Sequence, residues 1–509
     1  LTGQGRLAYW GNEVGQASVP VYRIMPLFCY PESQEEIRMA RFFLFIPPGS
    51  LYRRDDRCQS KVADQTIRAI FPPLDLAYMA AILRQAGLEV RITDYPASRR
   101  GISHLQRDLT EFAPNSVIYT CTAPTLENDL QLAGWMKQWK SDLSVAVKGE
   151  PANFLDERML RDYPAIDFVL RGEAEGILKR YVEGMALEEI PGVTARSDSG
   201  IRRNPAPTEL LDLDRLPFPA RDLLDNSLYP WPETGDPMTT VVTSQGCAFE
   251  CIFCPVVPLT GRRVRFRSVE SILGELHECV NRFNIRHFLF HADTFTLKKQ
   301  WVVDLCRAIV EQGLAIEWAA NSRVDTIDKE RLEWMKRAGC RIIGFGVESG
   351  MDEHLQAMGK NTTTEQARQA IRLCRECGIR SHAFFVFGFP WDTEESIRKT
   401  IDFALELDPD FFDFNLAFPI PGTELYRMVV EDGLCDLERL KQGGYSVAAL
   451  RTRTVSAERL EQLRRAALWR LYLRPGYVIR TLAATGSPLV AWRYCRAAVK
   501  RVANLLFGV

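Results

Sequence analysis

The chain has 509 residues, 46% of them apolar and 25% charged, and its 64 Lys plus Arg against 65 Asp plus Glu leave a net charge of −1. At roughly 150 residues per domain this length predicts about three domains. The balanced charge excludes a fold-wide basic grip on nucleic acid, and the 27 Phe and 10 Trp exclude a low-complexity chain that never folds. No run of about 18 apolar residues is present to cross a bilayer, and the first residues lack the basic flank, apolar core and cleavage site of a signal peptide. Thirteen cysteines, an odd number without an export signal, point to metal or redox thiols in a reducing compartment rather than a disulfide framework. The expected location is the cytoplasm.

Residues 1–40 show no period and are expected to form an N-terminal extension. Residues 41–48 are an apolar run stopped by a Pro pair, a buried strand. Residues 74–87 carry apolar positions at helical spacing and end on Gly87, a helix stop. Strands are expected at 89–93, 116–120, 144–149 and 167–172, with a helix over 127–140. Strands alternating with helices predict an open, doubly wound parallel sheet over 41–205. Residues 206–237 are rich in Pro and Asp and read as a linker. A second alternating series follows over 238–435, with six strand candidates at 238–246, 287–293, 316–322, 341–350, 381–390 and 411–422. Helical segments such as 268–283 and 363–378 lie between them. Six strand–helix units are too few for a closed eight-fold barrel, so a partial barrel is expected. Residues 436–509 read as a helical, basic C-terminal region.

The sharpest local signal is Cys247-Ala-Phe-Glu-Cys251-Ile-Phe-Cys254, three thiols within eight residues, opened by Gly246 directly after a strand. Thiolates suit iron–sulfur clusters or zinc. A closed zinc site needs four ligands, and the next cysteine, Cys279, falls inside a helix. Three ligands on a four-iron cluster leave one iron open to a substrate or cofactor. The alternative is three small apolar residues packed in a loop. Cys374 and Cys377 form a second pair, readable as one turn of an ordinary helix or as an auxiliary redox pair. His291 reads as a strand-end histidine held by its neighbours or as a group near the reacting atoms.

The triplet matches C-x3-C-x-aromatic-C, with Phe253 as the aromatic residue, and the region 238–435 resembles the radical S-adenosylmethionine (SAM) superfamily. The resemblance implies that Cys247, Cys251 and Cys254 bind a 4Fe–4S cluster. The open iron then chelates SAM, and one electron from an external flavodoxin- or ferredoxin-type donor cleaves it to methionine and a 5′-deoxyadenosyl radical, chemistry that belongs to the cofactor while the protein positions it. Phe290-His291-Ala292-Asp293-Thr294-Phe295 resembles the family's F-x-D-D-x-F with Ala292 in place of the first Asp. Asp293 is thereby implied as acceptor for the SAM ammonium, Arg323 as a fork for its carboxylate, Glu348 as a ribose ligand, and Gly388 of Gly388-Phe389-Pro390 as the small residue under adenine. Pro419-Ile420-Pro421-Gly422-Thr423 resembles the sixth-strand P-x-P-G-T.

Residues 41–205 resemble the cobalamin-binding-type domain that precedes the barrel in one subclass of that superfamily. The matching pieces are Phe71-Pro-Pro-Leu-Asp-Leu-Ala-Tyr-Met-Ala-Ala, Thr120-Cys-Thr-Ala-Pro-Thr125 and Arg171-Gly-Glu-Ala-Glu175. Such a flavodoxin-like sheet binds ligands at the carboxyl ends of its strands, and the resemblance implies cobalamin contacts from Pro72, Leu74, Thr122, Thr125, Gly149 and Glu173. The D-x-H-x-x-G motif that places a histidine on cobalt is missing, since His104 is the domain's only histidine. The resemblance therefore implies a cobalamin without a protein histidine ligand.

Beyond Glu461 no acidic residue occurs, while Arg464, Arg465, Arg470, Arg474, Arg480, Arg493, Arg496, Lys500 and Arg501 are interleaved with aromatics. This composition suits peripheral contact with the inner face of an anionic membrane, and equally a basic helix docked on the acidic flank of its own core. The expected activity is cobalamin-dependent methylation of an unactivated carbon on a small-molecule or lipid-like substrate. Two alternatives remain. One is radical cyclisation, rearrangement or carbon–carbon coupling on a lipid or tetrapyrrole. The other is a non-catalytic cobalamin or redox sensor.

Overall fold

The computed structural model describes residues 40–483, apart from 54–59, 63–64, 66–67, 187–188, 198–199 and 443, together with Trp492. The expected extension over 1–40 lies almost wholly outside the described residues.

The first sheet is built from β1 (Arg41–Ile46), β2 (Glu89–Asp94), β3 (Ser116–Thr120), β4 (Ser144–Lys148) and β5 (Phe168–Leu170), in the order β2-β1-β3-β4-β5 with every pair parallel. Near-continuous apolar runs are what a sheet covered on both faces requires. Phe42, Leu44 and Ile46 face the helices Leu74–Gln85 and Ala174–Val182. Phe43 and Phe45 face the opposite way, toward the helices Ile102–Phe112, Leu126–Trp139 and Ala152–Asp162. The doubly wound expectation holds, with one correction: the sheet is not wholly parallel. β6 (Val193–Ser197) and β7 (Gly200–Arg203) extend it as an antiparallel hairpin on β5. Their sequences, VTARS and GIRR, are half polar and carry no strong strand signal.

The Pro- and Asp-rich segment 206–237, expected as a linker, is packed rather than slack. Arg221 is fully buried and ion-paired to Glu275, which also binds Arg267; Arg221 donates to the Thr240 carbonyl at 2.8 Å. The Ala220 amide donates to the Ala77 carbonyl on the first domain at 3.0 Å, and Trp231 stacks on His287 of the second at 5.3 Å. The segment is thus fastened to both domains.

The second sheet has six parallel strands in chain order: β8 (Met238–Val242), β11 (His287–His291), β12 (Glu317–Ser322), β13 (Cys340–Glu348), β14 (Arg380–Phe387) and β15 (Phe411–Leu416). The strands β9 (Ser244–Gln245) and β10 (Arg265–Phe266) form a separate antiparallel ribbon. Alternation along each strand sends Phe288, Phe290, Trp318, Ile343, Phe345, Phe385 and Phe414 outward into one core under the helices, with Phe290 stacked on Trp318 at 4.6 Å. The helices start where side chains satisfy their free amides. Thr363 and Thr393 close capping boxes with Gln366 and Ser396, and Ser268 and Ser456 cap the helices Val269–Phe283 and Ala457–Tyr472. The result is the open partial barrel that the strand count predicts.

Among the described residues no further strand lies beside the far edge strand, β15. Its outward carbonyls are taken by side chains of the C-terminal region: Tyr477 donates to Asp410 at 2.8 Å, Tyr472 to Phe412 at 2.7 Å, and Arg464 to Phe414 at 2.7 Å. Arg470 pairs with Asp402, and Arg474 and Arg480 with Asp408. For these residues the docked-helix reading is the one the structure supports. Arg493, Arg496, Lys500 and Arg501 lie outside the described residues. Among the described residues no helix is long and apolar enough to cross a membrane.

Replacing Glu275 with Ala strands two guanidiniums in the interior without a counter-charge. The expected loss is ~3–5 kcal/mol, because removing one partner of a buried pair costs far more than the pair contributes; urea denaturation followed by circular dichroism measures it.

Candidate functional site: a cysteine loop facing a two-domain cavity

Strand β9 is followed by Gly246, whose φ of +96° is a conformation L side chains rarely adopt. A Cβ here would stand 2.4 Å from the Arg263 carbonyl oxygen, so the glycine also lets the returning ribbon close on the loop. The loop that follows has no regular structure until the short helix Val256–Thr260. It is held from three directions. Asp293 accepts the Gly246 amide at 2.9 Å. The Ile252 amide donates to the Met358 carbonyl at 3.0 Å, and the Leu425 amide to the Ile252 carbonyl at 2.9 Å. Gly359 presses so closely on the loop that a Cβ would lie 2.5 Å from the Glu250 carbonyl oxygen.

The loop presents Cys247, Cys251 and Cys254, each partly buried. Burial pushes all three thiols up, Cys254 to about 12; Cys247 and Cys254 also feel the charge of Cys251, while Cys251 itself sits between Glu348, which raises it, and Lys360 and Arg323, which lower it. Metal loading must therefore expel protons from them. Among the described residues no three His, Cys, Asp or Glu side chains converge on one ion position. The donor set, three soft sulfurs without a fourth beside them, fits a 4Fe–4S cluster with one open iron.

The residues implied for SAM gather around this loop, but several are already engaged. Asp293 faces the loop as described. Glu348, at φ +68°, is buried and paired with Lys360 at 2.8 Å. Burial works against the Lys360 ammonium, but Glu348 and Cys251 together favour it, and Lys360 is held above its usual value. Arg323 is engaged along one edge of its guanidinium. Its Nε and Nη2 meet Asp325, at 2.9 and 3.0 Å, and it also donates to the Lys360 carbonyl at 2.7 Å while its plane lies 3.6 Å from the ring centre of Phe249. Arg323 therefore braces the cysteine loop through Phe249. Gly388 is not an open cradle. Its φ is +99°, its amide donates to Asp392, and a Cβ would meet Leu460 at 3.2 Å. Phe253 packs edge-on against Phe389 at 5.7 Å. Lys360, Phe249, Asp325 and Asp392 escaped the sequence reading. Lys360 and Asp392 sit in turns, where no period marks them; Phe249, inside the triplet, was the one with a positional signal.

A large cavity lies between the two domains, with about 1790 Å³ of empty space counting the solvent at its mouth. One wall is the carboxyl end of the first sheet: Ile46, Asp94, Thr120, Lys148 and Gly172 follow or end its five parallel strands. The other is the barrel: Thr240, Val242, Leu289, His291 and Asp293, with Val256 and Leu259 from the helix after Cys254. Of the residues implied as cobalamin contacts, Pro72, Leu74 and Glu173 line it. Thr122, Thr125 and Gly149 are not among its lining residues. Thr122 and Thr125 bond to each other at 2.8 Å, and Gly149 is required because a Cβ would fall 2.0 Å from the Cys121 carbonyl oxygen. Glu173 is gripped by Arg265 of β10, an ion pair that bridges the two domains. The cavity's size and its mixed lining, apolar side chains with polar groups at the strand ends of the first sheet, suit a corrin ring.

Cys374 is buried in the barrel core and Cys377 caps the helix Thr364–Glu376, which is the ordinary helical placement.

Residues 241–404 match the Radical SAM superfamily, and residues 60–182 match the B12 binding domain. An uncharacterized methyltransferase of Pyrococcus horikoshii is 32% identical over 415 residues, which is 81% of this chain and 90% of the relative. The chain belongs to the radical SAM superfamily. It carries a B12-binding domain ahead of the radical SAM domain. The anaerobic magnesium-protoporphyrin IX monomethyl ester cyclase of Cereibacter sphaeroides is 27% identical over 71% of this chain and 61% of its own length. The fold is shared with the cobalamin-dependent S-adenosylmethionine radical enzyme OxsB, solved with aqua-cobalamin and S-adenosylmethionine bound, at a TM-score of 0.68 and 19% identity over 92% of this chain and 72% of that one.

For this radical SAM protein, Cys251→Ala is expected to abolish reconstitution of the brown cluster, with iron falling from about four per chain toward background. Cys377→Ala is expected to leave iron content unchanged. Anaerobic iron and sulfide analysis distinguishes the two.

Proposed function

We propose that the protein is a cobalamin-dependent radical SAM methyltransferase acting on an unactivated carbon of a small molecule. The observation that carries this reading is the shared cavity, which brings the ligand-binding end of the B12-type sheet and the flank of the cysteine loop to one space. When bound, the cluster and SAM supply a 5′-deoxyadenosyl radical and cobalamin supplies a transferable methyl group. The protein's own work is placement and exclusion of water. Cys247, Cys251 and Cys254 hold the cluster. Asp293 fixes the start of their loop and faces the cavity, which suits it to the SAM ammonium. Glu348 and Lys360 offer a paired acid and base beside Cys251, and Phe253 and Phe389 give an apolar platform next to the triplet. Pro72, Leu74 and the strand ends of the first sheet form the bed for cobalamin. No histidine of that domain lines the cavity among its described residues. Reducing equivalents come from an external flavodoxin- or ferredoxin-type protein, since Cys374 and Cys377 belong to a helix rather than a second cluster. The kinship with a cyclase keeps a second reading in view, radical ring closure without methyl transfer.

Methyl-deuterated SAM discriminates these. With anaerobically reconstituted protein, reductant and cobalamin, the expected outcome is 5′-deoxyadenosine together with the trideuteromethyl label in the corrinoid fraction by mass spectrometry. Deoxyadenosine with no label in the corrinoid supports ring closure. Neither product, with the cluster intact, sinks the enzyme reading and leaves the sensor.

A further inference from the structure

The inference rests on the reading of the cavity as a cobalamin bed and concerns one side chain in its wall. Glu175 lies in the first turn of the helix Ala174–Val182 and lines the cavity. The charged groups around it are otherwise committed. From β4, Lys148 is ion-paired to Asp75 of the helix Leu74–Gln85. From its own helix start, Glu173 is taken by Arg265 of β10. Arg267, at the barrel side, is taken by Glu275. Tyr78 of the helix Leu74–Gln85 faces the same space and feels the Glu175 charge, and burial holds its phenol neutral. Among the described residues no base is paired with the Glu175 carboxyl.

Two influences favour its anion: the nearby Lys148 and its place at a helix N-terminus. Burial outweighs them and pushes the group up to about 7, so near neutrality it is divided between acid and carboxylate. A flat ring laid over this wall removes the remaining water. An uncompensated carboxylate beneath it would then be costly, whereas the neutral acid can donate a hydrogen bond to one of the amide arms that fringe a corrin.

We propose that Glu175 is a cobalamin contact that engages the corrin as the neutral acid, so that docking of the cofactor takes up a proton. The sign follows from linkage. The loaded protein binds more protons than the empty one, so affinity is highest below the titration of Glu175 and falls as pH rises through and above it, by up to about tenfold per pH unit. His291 also faces this cavity from β11. A cationic imidazole would give the opposite slope against a neutral ring only if it repelled the ligand, so it is controlled for separately.

The test is equilibrium dialysis of methylcobalamin, whose own charge is constant here, against the full-length chain at about pH 6 and about pH 8.5. Wild type is expected to bind at least about fivefold more weakly at the higher pH. Glu175→Gln keeps a neutral donor and is expected to bind nearly equally at both. Glu175→Ala is expected to bind weakly at both, with circular dichroism and iron content confirming the fold. His291→Gln is expected to keep the wild-type slope. A flat wild-type profile, a reversed slope, or a slope that survives in Glu175→Gln overturns the proposal. Retention of methylcobalamin with a flat profile leaves the cobalamin reading standing, and failure to retain it at either pH removes both.

Discussion

An irregular loop that must aim three sulfur atoms at one space cannot position itself, because it has no internal ladder of hydrogen bonds. Here the loop borrows its geometry from the barrel. Asp293 follows β11, the Met358–Lys360 turn follows β13, and Leu425 follows β15, and each fixes a different backbone atom of the segment 246–252. These anchors stand at the same height only if the six strands keep their register, and the register is set by the outward phenylalanines packed under the helices. Core packing, helix capping and presentation of the cysteines are therefore one chain of dependence rather than separate features.

The same neighbourhood shows how charge is kept near a cluster site without leaving bare ions. Glu348 and Lys360 satisfy each other, and Arg323 is neutralised by Asp325 while its plane covers Phe249. A buried pair of this kind contributes little net stability. It does keep an acid and a base in place beside the cysteine loop. The cost of holding Glu348 at positive φ is met by the packing of β13 on both sides, as is common where strain and function coincide.

Much of this was legible in the sequence. The five parallel strands of the first sheet, the six of the second and the cysteine loop follow from apolar runs, turn residues and the triplet spacing. What was not legible shares a physical cause: it depends on pairings between residues far apart in the chain. The β6–β7 hairpin is half polar and becomes a strand pair only because β5 offers an edge. Arg221 reads as a charged residue in a loop, and nothing local announces that Glu275, more than fifty positions on, will draw it into the interior. Gly149 was read as a cobalamin contact and Gly388 as the small residue under adenine; a Cβ at Gly149 would collide with the Cys121 carbonyl, and one at Gly388 would crowd the Leu460 side chain. Arg323 was read as a fork for a carboxylate, and its partner, only two residues away, was overlooked.

The closure of β15 by Arg464, Tyr472 and Tyr477 bears on how this architecture guards its open edge against pairing. A parallel sheet that stops after six strands offers a bare row of acceptors, which is a template on which a foreign strand can crystallise. Three side chains from a helical appendage, spaced to every second carbonyl, do the blocking that a seventh and eighth strand would do in a complete ring. Trimming that appendage would first be felt as stickiness between molecules, well before the chemistry at the opposite end of the sheet was touched.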